Sequence, residues 1–139
     1  MRRGTTLLEI TAVLAILGIM LTVAFPRFAA YRDRVAVGAG TTSAVALLAT
    51  ARYAAVRRAT VTAISFDPVA AIITVFSGPD TIERRSLRAA HGVRLAASRD
   101  SIAYSPSGMG YGAANTSLVV SRGAAAETLT VSRLGRVRR

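Results

Sequence analysis

The chain has 139 residues, room for one domain plus an anchor, which excludes a second enzyme-sized domain. Its formal net charge is +11 and every one of its 18 basic residues is Arg, an excess that concentrates anions such as phospholipid head groups, nucleic acid or acidic proteins. There is no Cys, so disulfides and thiol chemistry are both excluded, and any extracytoplasmic domain must be held by its core alone.

Apolar residues make up 52% of the chain but are unevenly spread, with no charged side chain between Ile10 and Pro26. Ahead of that run stands a short positive leader, Met1-Arg2-Arg3-Gly4, and a single carboxylate, Glu9, interrupts the apolar stretch near its start. Positive charge before a span keeps that end in the cytoplasm and places the rest outside. Three readings of the segment compete. A secretory signal peptide needs a small-x-small cleavage site after its apolar core, and Thr22-Val23-Ala24 is a passable one. A plain single-pass anchor also fits, because residues 7–25 rise roughly 28 Å as a helix, close to the thickness of the hydrocarbon core. Neither reading needs Glu9, whose carboxylate costs about 2–3 kcal/mol at mid-span.

The third reading accounts for Glu9. Arg3-Gly4-Thr5-Thr6-Leu7-Leu8-Glu9 resembles the class III signal of type IV pilins and pseudopilins, with the Glu five residues past the Gly. The resemblance implies that a prepilin peptidase cuts between Gly4 and Thr5 and that the Thr5 amine is methylated. It also implies that Glu9, with Leu7 and Leu8 beside it, belongs to the subunit-assembly surface and pairs with the N-terminal amine of a neighbouring subunit. A buried carboxylate is tolerable where a cation meets it, so one such charge can enforce axial register between packed helices. The family usually has Phe directly after the cleaved bond, where this chain has Thr5.

Pro26 closes the apolar run, where it removes an amide donor and would kink a continuing helix; many pilins have a Pro in the corresponding place. Residues 27–58 are Ala-rich, with small or apolar residues at helical spacing such as Ala44, Leu48, Ala51 and Ala55. Arg52, Arg57 and Arg58 cluster near the end, where cations complement the helix dipole. The pattern predicts one long helix, lipid-facing first and amphipathic afterwards, with Gly38 and Gly40 as a soft spot that reads as a flexible joint or as a site of stretching during assembly.

From Thr60 the period becomes that of strands. Short runs at 61–66, 71–76, 84–87, 93–97, 102–104, 116–120 and 128–132 are rich in β-branched or aromatic residues. Asp67-Pro68, Ser77-Gly78-Pro79-Asp80 and Ser105-Pro106-Ser107-Gly108 punctuate them as turns. The expected fold is α+β, a long N-terminal helix packed on an antiparallel sheet or sandwich. The expected organisation is a leader at 1–4, a transmembrane and assembly helix at 5–26, its amphipathic continuation at 27–58, and a β-rich extracytoplasmic head with a basic tail at 59–139.

Ala51-Arg52, Gly92-Val93-Arg94-Leu95, Ile102-x-Tyr104-Ser105-Pro106-Ser107-Gly108 and Gly135-Arg136 together resemble the GspH/FimT family of minor pilins and pseudopilins. That resemblance implies a low-copy subunit of a type II secretion pseudopilus or a type IV pilus, initiating or capping the filament. Its partners would be other pilins through the N-terminal helix, the prepilin peptidase and the inner membrane. The alternative is a pilus-tip subunit that binds DNA during natural transformation. Arg133, Arg136, Arg138 and Arg139 crowd the C-terminus with no acid among them, and Gly135-Arg136-Val137-Arg138 matches the Gly-Arg-x-Arg element of the DNA-uptake branch. The bland reading of that run is a solvated basic tail. Four such contacts to duplex DNA would give a salt slope of about −3.6 and a roughly hundredfold loss of affinity between about 50 and 200 mM salt.

Glycines at 108, 110 and 112 lack the strand-to-helix context and the following Lys-Ser/Thr of a phosphate cradle, so residues 104–115 read as a mobile loop. His91 is the single His, and the seven acids are scattered without metal-ligand or paired-carboxylate spacing. No enzyme activity, cofactor or metal is expected.

Overall fold

The computed structural model describes residues 6–112 and 114–139, so Gly4 and Thr5, the expected processing site, lie outside the described residues. Helix α1 spans Leu7–Arg58 and is followed, among the described residues, by nine strands and one short helix. At its start Thr6 Oγ1 accepts a hydrogen bond from Glu9 N at 3.3 Å, the bond by which an N-cap threonine satisfies an orphan amide. At its end Thr60 N reaches Ala55 O and Ala59 N reaches Val56 O, both at 3.3 Å, with Ala59 at φ 51°. This is the pair of hydrogen bonds of a Schellman stop, made with alanine where glycine is usual.

Contacts divide the chain into two units between Arg32 and Asp33. In the first, α1 contains a stretch long and apolar enough to cross a membrane, none of it buried. In the second, Val37, Gly40, Thr41, Ala44, Leu47, Leu48, Ala51 and Ala55 are buried at spacings of three and four, one face of a 3.6-residue period. The four positions read as amphipathic from the sequence, Ala44, Leu48, Ala51 and Ala55, are all on that face. Gly40 is there for packing: a Cβ on it would lie 3.0 Å from Val93 Cγ2 and 3.2 Å from Val120 Cγ1, whereas nothing stands within 4 Å of one on Gly38. Gly40 is therefore a contact point between helix and sheet, not a loose joint.

Strands β1 (Thr62–Asp67), β2 (Ile72–Ser77), β3 (Asp80–Ser86), β5 (Ser101–Tyr104) and β6 (Gly110–Tyr111) form one sheet in the order β3-β2-β1-β5-β6. Strands β4 (Arg94–Ala97), β7 (Thr116–Arg122), β8 (Ala125–Val131) and β9 (Val137–Arg138) form the second, in the order β4-β7-β8-β9. Every pairing is antiparallel. Ile64, Ile73, Val75 and Tyr104 from the first sheet, and Leu95, Leu118, Val120, Leu129 and Val131 from the second, join the buried face of α1 in one core. The fold is the expected α+β arrangement of a long N-terminal helix with antiparallel sheets.

The turns behave as their residues demand. Asp67 Oδ1 accepts from Val69 N and Ala70 N at 2.9 and 3.0 Å, and Gly78, at φ 62°, opens the two-residue link between β2 and β3. The differences from expectation are local. The third strand ends at Ser86, because Ser86 Oγ caps a five-residue helix α2 (Leu87–His91) by accepting from Ala89 N, and Gly92 closes it at φ 66°. Residues 104–115, read as a loop, contain β6, and the basic run at the C-terminus contains β9.

Candidate functional site

Glu9 lies in the first turn of α1, where the positive end of the helix dipole favours an anion. This local reason for a carboxylate was present in the sequence as Thr6-x-x-Glu9, a capping-box spacing, and it stands beside the register role that the signal implies. Leu7 and Leu8 are 82% and 80% exposed, and exposed apolar side chains continue through Ile10, Leu14, Leu17, Leu21, Phe25 and Phe28. Leu21, Ala24, Phe25 and Phe28 line a shallow apolar recess. Soluble proteins do not leave such a face in water, so these side chains are suited to lipid or to other helices. α1 continues as helix through Pro26, although a proline there removes one backbone donor.

Three short motifs that are far apart in sequence meet at one place on the head. A Cβ on Gly108 would lie 3.2 Å from Arg52 Nε and 3.1 Å from Val56 Cγ2. One on Gly135 would lie 2.9 Å from the Gly108 carbonyl oxygen and 3.5 Å from both Arg52 Nε and Tyr104 Cε1. Both glycines have positive φ, 77° and 72°, so their lack of a side chain serves backbone geometry and the passage of the Arg52 side chain at once. Burial pushes the Tyr104 phenol above its ordinary value, and the Arg52 guanidinium partly offsets this. Ala51-Arg52, Tyr104 to Gly108 and Gly135 are thus one packing unit joining helix, first sheet and C-terminal turn. Dipole complementation at the helix end is left to Arg57 and Arg58, with Arg57 stacked 5.9 Å above the Tyr53 ring.

The four C-terminal arginines are all exposed. Arg133 O accepts from Gly110 N, fixing the turn to β6, while Ser132 N donates to Arg136 O and Ser132 Oγ accepts from Arg136 N. Arg138 is in β9 opposite Thr130, and Arg139 Nη2 donates to Thr42 Oγ1 on α1 at 2.8 Å. The segment is ordered by strand pairing, and it presents Arg133, Arg136 and Arg138 to solvent while Arg139 is engaged on the helix.

His91 Nε2 lies 2.9 Å from Ser43 Oγ, and its carbonyl accepts from Arg122 Nη1. Among the described residues no carboxylate is bonded to the ring to orient it as a base, and no group of three His, Cys, Asp or Glu could hold a metal ion. Its contacts tie α2 to the helix.

The family model described as type II transport protein GspH matches residues 41–135. Two crystal structures of the Pseudomonas aeruginosa (strain PAO1) type IV minor pilin FimU share the fold. The form in space group P21 has a TM-score of 0.64 at 13% identity, covering 76% of this chain and 88% of that one. The form in P65 has a TM-score of 0.60 at 11% identity, covering 73% and 90%. A comparison with curated protein sequences finds no match.

Proposed function

Because the chain belongs to the GspH family of type II transport proteins, we propose that it is a minor pilin or pseudopilin subunit, anchored by the apolar part of α1 and assembled through it into a filament that it initiates or caps. The observation that carries this reading is the exposed, uncharged face of α1 from Ile10 to Phe25, headed by the lone carboxylate of Glu9. Such a face fits a subunit that is stored in the membrane and later packed among like helices. In this reading prepilin peptidase cuts after Gly4, Thr5 becomes the methylated N-terminus, and the head is extracytoplasmic with the leader in the cytoplasm. Pro26 bends the helix near the membrane surface.

The test is N-terminal mass spectrometry of the protein recovered from membranes of cells with and without prepilin peptidase. A methylated Thr5 that depends on the peptidase supports the reading. An intact Met1, or a cut after Ala24, overturns it.

A second reading is favoured by one feature, the strand pairing that orders the exposed Arg138, with Arg133 and Arg136 exposed in the segment just before it. In this reading the ordered C-terminal arginines contact DNA phosphates, without sequence preference. The Arg136→Ala, Arg138→Ala double variant then loses duplex binding while still assembling, and unchanged binding dismisses it.

A further inference from the structure

The second sheet carries a row of polar side chains on its solvent face. Across β7, β8 and β9 the register places Ser117 opposite Thr130 and Thr130 opposite Arg138. Directly paired residues share a face with Cβ atoms about 4.5–5.5 Å apart, so these three side chains form a row. Ser98 continues it, since Ser98 N donates to Ser117 O and Ser98 Oγ accepts from Ser117 N, both at 2.9 Å. At the end of these strands lies an open pocket of about 310 Å³ lined by Ser98, Asn115, Thr116, Ser117, Thr130, Val131 and Ser132. Five of its seven lining residues carry a hydroxyl, one carries a carboxamide, and none is acidic or aromatic.

The hydroxyls differ in what they already do. Ser98 Oγ and Thr116 Oγ1 satisfy each other at 3.1 Å, and Ser132 Oγ receives Arg136 N at 3.3 Å. Ser117 Oγ and Thr130 Oγ1 have no hydrogen-bond partner among the described residues. Two arginines flank the pocket. Arg99 Nε donates to the Asn115 carbonyl at 2.9 Å, which fixes its guanidinium at the rim and leaves its outer amino groups uncommitted, and Arg138 stands beside Thr130 on the opposite side.

Uncommitted hydroxyls and a carboxamide both donate and accept, whereas arginine only donates. A ligand that brings hydroxyls of its own together with an anionic oxygen pair uses both halves of that set. A phosphodiester has no donor to offer and would use only the donating half, and the lining holds no aromatic to serve as the stacking platform that bases use. We propose that this pocket binds an acidic sugar unit, its hydroxyls on Ser117, Thr130 and Asn115 and its carboxylate on Arg99 at the rim beside Asn115. The site is independent of the assembly surface and of processing at Gly4.

The test uses the full chain in detergent micelles, isotope-labelled for amide NMR, titrated with sodium glucuronate, with glucose, with inorganic phosphate and with a short DNA duplex. The expected result is a saturable shift of the Ser98, Ser117 and Thr130 amides with glucuronate, and affinities for glucose and phosphate weaker by roughly tenfold, the worth of one lost charge-assisted bond. Thr130→Val keeps strand shape while removing the hydroxyl, and it weakens glucuronate binding by roughly tenfold with an unchanged melting temperature. Ser117→Ala serves as the second variant should Thr130→Val perturb the strand. No saturable glucuronate response, or phosphate or duplex acting as strongly on the same amides, overturns the proposal.

Discussion

Asp33 and Arg122 form an ion pair with Nε 3.0 Å from Oδ1, their side chains only 21% and 29% exposed, at the first residue of the head's portion of α1. The same guanidinium donates to His91 O at 2.9 Å and lies against Gly92, so one side chain joins helix α1, the end of α2 and the turn after β7. Gly123, at φ 55°, lets that turn approach, because a Cβ on it would run into the Asp33 carboxylate. Arg122→Ala leaves a half-buried carboxylate and a carbonyl unpaired, which should cost about 2 kcal/mol. Each kcal/mol moves the melting temperature of a domain this size by about 4–8 °C. Arg85→Ala, which breaks a more exposed pair with Glu83, should cost well under 1 kcal/mol. Thermal unfolding of both variants in detergent checks the contrast, and equal effects would remove the clamp role given to Arg122.

Gly38 and Gly40 are two residues apart and should respond oppositely to alanine. In an open helix, Gly→Ala gains up to about 1 kcal/mol, and Gly38, with nothing within 4 Å of its Cβ position, should show that gain. At Gly40 the added carbon meets the γ-methyls of Val93 and Val120, and overpacking of this kind costs about 1–3 kcal/mol. Gly38→Ala should therefore raise the unfolding midpoint and Gly40→Ala lower it. Two stabilised variants would mean that the contact between α1 and the second sheet gives way easily.

That contrast also marks what could be read in advance. The buried face of α1 was legible because helical burial is local: Ala44, Leu48, Ala51 and Ala55 declare it by spacing alone. Strand runs were legible to within a few residues for the same reason. The helix α2 was missed although Ser86 and Gly92 are ordinary start and stop signals, since five residues between them are too few to show a period. Strands β6 and β9 are two residues each and exist only through their partners, so nothing in Gly110-Tyr111 or Val137-Arg138 announces them. The convergence of Arg52, Gly108 and Gly135, and the row from Ser98 to Arg138, depend on register between distant strands, which sequence order does not encode locally.

Tyr104 makes stability depend on pH at the alkaline end. Its phenol is raised above 10.0 by burial, so in the folded chain it stays neutral at a pH where the unfolded chain has begun to ionise. The unfolded state then binds fewer protons, and stability falls as pH rises from about 10 through the folded value. The stabilisation is fully present below that window. Tyr104→Phe should flatten the decline between about pH 9 and pH 11 relative to the parent chain, measured by urea unfolding across that range. An unaltered slope in the variant would assign the alkaline loss to other groups.

Glu9 has two physical explanations of different size, which allows a decision. As an anion in the first turn of α1 it contributes about 0.3–1 kcal/mol through the helix dipole. As a buried partner of a neighbour's N-terminal amine its removal would cost about 3–5 kcal/mol of subunit association. Glu9→Gln keeps the length and hydrogen-bonding capacity of the side chain and deletes only the charge. At about 1.4 kcal/mol per decade, the first account predicts at most about a fivefold fall in subunit recovered with sheared filaments, and the second a fall of roughly a hundredfold or more. Membrane-fraction levels of the same variant should be unchanged in either case, since a neutral side chain enters lipid more readily than a carboxylate. We expect the larger fall, because the exposed apolar side chains on either side of Glu9 place its carboxylate where a partner helix would exclude water. Recovery within fivefold of the parent would leave Glu9 as a helix-start residue and move the register function elsewhere on the N-terminal face.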